Sequence, residues 1–195
     1  LGRELHHSHS GVRGDTMIFN ETKLKGAYVI ELEKVEDERG FFAYSYCQKE
    51  FREHGIDLDI VQCNVSFNKA RGTLRGMHYQ SSPFEQAKLV SCTRGRIYDV
   101  IIDLRKDSAT YCKSFAVELS GKDYKMLYIP KGFAHGYQTL EDDSIVFYQM
   151  SEFYHTDCSI CERWDDPLFS IKWPLDVQIM SEKDKKQRLF ADSIL

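Results

Sequence analysis

A histidine, an arginine and a lysine able to move protons or hold negative charge gather around Thr73-Leu-Arg-Gly-Met-His-Tyr-Gln80. Arg75 precedes a glycine, His78 follows it by two positions, and Lys88 ends the polar loop beyond Gln80. Histidine is the side chain best suited to exchanging a proton near neutral pH. The chain contains no G-x-x-x-x-G-K-[ST] loop, G-x-G-x-x-G fingerprint or G-x-S-x-G elbow. ATP hydrolysis, hydride transfer and serine hydrolysis therefore have no motif support. Proton transfer remains. Removing a proton from carbon is feasible beside a carbonyl, where the charge spreads onto oxygen as an enolate. A neutral imidazole serves as the base, and a lysine ammonium near the oxygen stabilises the enolate. Inverting that carbon needs a second proton from the opposite face, for which a tyrosine hydroxyl is a suitable donor.

These residues must be held by strands. Residues 73–80 read as one, and regular alternation would put Arg75 and His78 on opposite faces, because they are three positions apart. Gly76 permits an irregularity that re-aims one of them, and such an irregularity is expected. Further strands read at 27–33, 41–46, 60–67, 87–93, 96–104, 114–119, 126–130, 134–140 and 145–151, separated by charged or glycine-containing turns. The clearest is 96–104, with Tyr98, Val100, Ile102 and Leu104 on one face and Ile97, Asp99, Ile101 and Asp103 on the other. Two carboxylates on that second face predict a partly wet interior. A short helix is expected at 48–54, closed by Gly55, and another at 181–190. Many short strands and few helices indicate an all-β sandwich or barrel.

A chain of 195 residues suits one domain with a substantial core. Its net charge of −4, without a block of like charges, speaks against nucleic-acid or membrane-surface binding. No apolar run approaches the roughly 20 residues that span a bilayer. The His/Ser/Gly-rich residues 1–16 resemble an expression leader, so the domain is taken as 17–195, and His6, His7 and His9 are left out of the functional argument. Six scattered cysteines read as reduced thiols of a cytoplasmic protein, with Cys158-Ser-Ile-Cys161 as small side chains in a loop.

Pro130-Lys-Gly-Phe-Ala-His135 matches the P-x-G-x-x-H element of the cupins, small double-stranded β-helix (jelly-roll) barrels. Their H-x-H element is replaced by His78-Tyr-Gln80, so the second metal histidine is missing, and Glu85 completes only a thin ligand set. No metal or cofactor is expected, and His135 reads as a pocket-wall residue.

Seven stretches in order then resemble the dTDP-4-dehydrorhamnose 3,5-epimerase family. They are Asp37-Glu-Arg-Gly-Phe-Phe42, Leu74 to Gln80, Gln86-Ala-Lys-Leu-Val90, Asp99 to Lys106, Ile129 to Gly136, Trp164-Asp-Asp-Pro167 and Ile171-Lys-Trp-Pro174. The resemblance implies a metal-free cupin-like epimerase acting on a nucleotide-linked 4-keto-6-deoxyhexose. It implies His78 as base, Asp184 of Met180-Ser-Glu-Lys-Asp184 as its partner, Lys88 at the 4-keto oxygen and Tyr154 as the opposite-face donor. It gives Arg39 and Arg75 the diphosphate, and adds Phe42, Gln62, Asn64, His135 and Tyr148 to the substrate site. It also implies a homodimer in which N-terminal strands cross to the neighbouring sheet. Ser181 and Asp184 equally fit a helix capping box, so that position has two readings. Tyr44, Val65 and the 158–164 tract depart from the family's usual residues. They leave open a 3-only or 5-only epimerase, a 3,4-ketoisomerase, or a sugar-nucleotide-binding barrel without catalysis.

Overall fold

The computed structural model describes residues 16–190; the leader expected at 1–16 lies almost wholly outside them. The strands are β1 (Met17–Glu21), β2 (Tyr28–Leu32), β3 (Val35–Asp37), β4 (Gly40–Phe42), β5 (Gln62–Asn68), β6 (Leu74–Gln80) and β7 (Lys88–Arg94). They continue with β8 (Arg96–Asp103), β9 (Ser114–Ser120), β10 (Met126–Ile129), β11 (Phe133–Thr139), β12 (Ser144–Met150) and β13 (Ser159–Cys161). Two short helices complete the set, α1 (Gln48–Glu53) and α2 (Glu182–Lys185). One sheet runs β1-β2-β10-β7-β12-β5, a second runs β13-β6-β11-β8-β9, and β3 and β4 form a separate hairpin.

The two sheets face each other because their strands carry apolar residues at alternate positions. Ile97 and Ile101 of β8 point between the sheets and meet Val90, Leu127 and Val146 from the other side. Val100 and Ile102 point the opposite way, onto Phe169 and Phe190 of the C-terminal segment. The outer face of the first sheet, with Leu89, Met126 and Tyr128, is covered by Phe51, Ile56 and Leu58. A six-residue helix is far too short to persist alone. Burying a phenylalanine contributes about 1.5–3 kcal/mol, so α1 is held by the fully buried Phe51.

Several expectations are corrected. The helix read at 181–190 stops at Lys185. Beyond it the chain turns inward, where the Asp166 carboxylate accepts the Phe190 N–H at 2.7 Å and Phe190 packs on Phe169. The strand read at 41–46 stops at Phe42, and Tyr46 turns in to donate to the Leu58 carbonyl. Cys158 to Cys161 is not simply loop: Ser159–Cys161 is β13, paired with β6 so that Cys161 lies opposite His78. The face of β8 carrying Asp99 and Asp103 is fully buried. Asp103 is satisfied there by Arg105, Ser108 and Thr110, whereas Asp99 is bonded through one oxygen, to His135. Apart from these corrections, β2 pairs with β10 and β1 with β2 at the end of the first sheet.

The irregularity expected at Gly76 is present. The register between β6 and β11 shifts between His135 and Tyr137, and the Gly76–Met77 peptide is cis. Gly76 has φ +131°, and a Cβ there would meet the Gly136 Cα at 2.5 Å. Both Arg75 and His78 consequently line the same cleft. Gly76→Ala is expected to destabilise the fold by at least about 2 kcal/mol, since both backbone conformation and strand approach oppose a side chain. Denaturant unfolding checks this; an unshifted midpoint would show that β6 and β11 part freely.

Candidate active site

The cleft, about 980 Å³, lies between the sheets. That is ample for a ligand of nucleotide-sugar size. One wall carries Arg75 and His78 from β6 with His135 and Tyr137 from β11; the facing wall carries Lys88 from β7, Tyr148 from β12 and Asn64 from β5. Asp184 closes the inner end from α2, and Tyr154 stands at the rim, 55% exposed.

His78 and Asp184 are 106 positions apart in sequence, yet His78 Nε2 lies 2.9 Å from Asp184 Oδ1. Ser181 explains how one residue satisfies both readings of position 184. The Ser181 hydroxyl accepts the Asp184 backbone N–H at 3.1 Å, so the cap uses main chain and leaves the carboxylate for His78. Burial pushes the Asp184 carboxyl up, but the bond and charge of His78, with Cys161 and the Gly76 N–H, outweigh it and hold it below its usual range. An ionised carboxylate only accepts, so His78 Nε2 carries the proton and Nδ1 keeps the lone pair. That is the tautomer a base requires.

Lys88 is buried at 9% exposure, with Nζ 3.4 Å from the His78 carbonyl oxygen. Desolvation pushes its ammonium down to about 8, partly opposed by the charge of Asp99. His135 Nε2 lies 2.6 Å from Asp99 Oδ1, and both are buried, so His135 is locked into the wall. Asp99 Oδ2 has no partner among the described residues. Gln80, which replaces the second histidine of a cupin metal set, donates to the Phe84 carbonyl and accepts the His155 N–H. With His135 spent on Asp99 and Gln80 spent on the loops, the cupin ligand set is not assembled here.

Polar contacts link the two walls. Tyr148 OH donates to Tyr137 OH at 3.1 Å, Tyr137 OH to Ser66 Oγ at 3.0 Å, and Arg75 Nε to Asn68 Oδ1 at 2.8 Å. Burial, then the neighbouring Tyr137, push the Tyr148 hydroxyl well above its ordinary range, so it stays protonated. Tyr137, Ser66 and Asn68 were not singled out beforehand. A signal existed: Gln62, Asn64, Ser66 and Asn68 recur at every second position of β5, a polar face turned to the cleft.

Three expected site residues stand apart from this cleft. Arg39 is held by Asp37 in the β3–β4 turn, with its side chain 85% exposed. Phe42 is exposed on β4. Gln62 is not itself among the residues lining the cleft; it accepts the Tyr154 N–H at 3.2 Å and donates to Asn64, and so fixes the rim.

A profile of the dTDP-4-dehydrorhamnose 3,5-epimerase family matches residues 21–192. The chain belongs to that family. The dTDP-4-dehydrorhamnose 3,5-epimerase of Methanothermobacter thermautotrophicus is 44% identical over 170 residues, covering 86% of this chain and 91% of that protein. The crystal structure of the Elizabethkingia anophelis enzyme superposes with a TM-score of 0.88 at 39% identity, covering 91% of this chain and 98% of that one. The Legionella pneumophila 3,5-epimerase, solved with dTDP-4-keto-L-rhamnose bound, gives 0.83 at 38% identity, covering 89% and 92%. The two-sheet barrel is thus the family's cupin-like fold, as the sequence led one to expect.

Proposed function

We propose that the chain inverts C3 and C5 of dTDP-4-dehydro-6-deoxy-D-glucose, giving dTDP-4-dehydro-L-rhamnose, with no metal or cofactor taking part. The observation that carries this reading is the His78–Asp184 pair set in a cleft that also holds Lys88. Family membership, and the ligand bound to the Legionella relative, support the nucleotide-sugar substrate. Arg75 meets the diphosphate with its forked guanidinium, and Asn64 lies on the nucleotide side. The 4-keto oxygen is held by Lys88. His78 Nδ1 removes the proton from the carbon beside the carbonyl, Asp184 stabilises the resulting imidazolium, and Lys88 holds the enolate oxygen. A tyrosine on the facing wall returns a proton from the other side. The imidazolium then loses its proton to solvent and the tyrosine regains one.

Tyr148 fits that donor role better than Tyr154. It is half-buried in the wall facing His78 and burial keeps its hydroxyl protonated, whereas Tyr154 sits exposed at the rim. Tyr148→Phe is expected to slow turnover by about 10²-fold or more, and Tyr154→Phe by much less. The opposite order would return the donor role to Tyr154. Proton NMR of the product sugar tests the overall reading: inversion at both carbons is expected, and inversion at C3 alone would make the protein a monoepimerase.

The enzyme acts as a homodimer in this reading. Val35 and Phe42 of the hairpin and Val65 and Phe67 of the edge strand β5 are exposed apolar residues that a second copy would cover. Arg39 and Phe42 would then serve a cleft only across that interface. Sedimentation of the full chain measures its mass directly. The six free cysteines support a cytoplasmic setting. Among the described residues no helix is long and apolar enough to cross a membrane.

A further inference from the structure

We propose that His78, Cys161 and Asp184 form a binding site for a thiophilic divalent cation such as Zn²⁺, and that filling it switches catalysis off. One ring nitrogen of His78, the Cys161 sulfur and a carboxylate oxygen of Asp184 all lie within 4.8 Å of one another. Among the described residues no other group of three such ligands comes together. Two of the separations are short: His78 Nε2 to Asp184 Oδ1 is 2.9 Å and Cys161 Sγ to the same oxygen is 3.5 Å. A tetrahedral zinc with bonds of about 2.0–2.3 Å spaces its ligands roughly 3.3–3.6 Å apart. Filling the site would therefore open the His78–Asp184 pair and draw in the widest of the three separations, which is within 4.8 Å.

The fold builds this arrangement from unrelated segments. Antiparallel pairing of β13 with β6 sets Cys161 opposite His78, and the Ser181 cap docks Asp184 beneath both. Cys161 and Asp184 are buried while His78 is open to the cleft. Three protein ligands with a fourth position on a cavity is the form of an open zinc site. The site differs from the cupin metal set, since of that set only His78 takes part.

The switch follows from the tautomer and rests on His78 acting as base. A cation on Nε2 displaces its proton, and the neutral ring then carries its hydrogen on Nδ1, so the basic lone pair is lost. The Cys161 thiol proton leaves to solvent, and Asp184 exchanges its bond to His78 for one to the ion.

Cobalt(II) titrated into the full chain tests the site without reference to activity. Expected is a thiolate-to-cobalt charge-transfer band that saturates near one equivalent and disappears in both Cys161→Ala and Cys161→Ser. The histidines at the N-terminus bind cobalt without giving such a band. Zinc should inhibit the epimerase, and each Cys161 variant, measured against its own metal-free rate, should need at least about tenfold more zinc. No Cys161-dependent band overturns the site. A band with zinc-insensitive turnover overturns the switch. Failure of the epimerase reading would appear separately, as no inversion in metal-free wild type.

Discussion

His78→Asn is expected to lower kcat/KM by roughly 10²–10⁴-fold while leaving the fold intact. His78 lines the cleft with one ring nitrogen held by Asp184 at 2.9 Å, which leaves the other for the substrate. Its ring is 41% exposed, so removing it empties little of the core. Asparagine keeps a donor toward Asp184 but supplies no base, which separates catalysis from architecture. Asp184→Asn should also cost turnover, because the amide no longer fixes the required tautomer or stabilises the imidazolium. Its test is kcat together with the melting temperature. A large fall in both would mean that position 184 matters chiefly as part of α2 and its cap.

Lys88→Met should separate stability from function in the other direction. The side chain is buried, and its ammonium is pushed down to about 8 by desolvation, with Asp99 opposing. Loss of the enolate ligand is expected to cost about 10²–10³-fold in turnover. In the wild type, activity should fall as pH rises through about 8 and the ammonium is lost. Stability should move the opposite way. Between about 8 and 10.5 the unfolded lysine still binds its proton while the folded one does not. Over that window stability therefore rises with pH, by roughly 3 kcal/mol at most. At neutral pH the buried charge is a cost, so Lys88→Met is expected to melt no lower than wild type. A melting temperature several degrees lower would show that Lys88 is a structural cation for Asp99 rather than one kept for an oxyanion.

How much of this was legible in the chain depends on range. The two faces of β8 were readable from alternation alone, and so was the need for a kink at Gly76. The His78–Asp184 pair was not: no periodicity links residues 106 positions apart, and only the ordered family motifs brought them together. Ser181 and Asp184 looked like rivals for one hydrogen bond because sequence does not distinguish a cap made by main chain from one made by a carboxylate. β13 was hidden because three residues are too few to show alternation, and its pairing is decided by β6. Arg39 carries the motif of a ligand, yet the Asp37–Arg39 turn holds it away from the chain's own cleft. Motif and location are separate facts, and only the second depends on the rest of the molecule.

The central claim is that His78 takes a proton from carbon beside the 4-keto group. Deuterium wash-in tests it most directly. Wild-type protein and His78→Asn are incubated with dTDP-4-dehydro-6-deoxy-D-glucose in deuterium oxide, and C3 and C5 are followed by NMR. Exchange at both carbons with the wild type, and at neither with the variant, is the expected result. Exchange that continues at the wild-type rate without His78 would contradict the account.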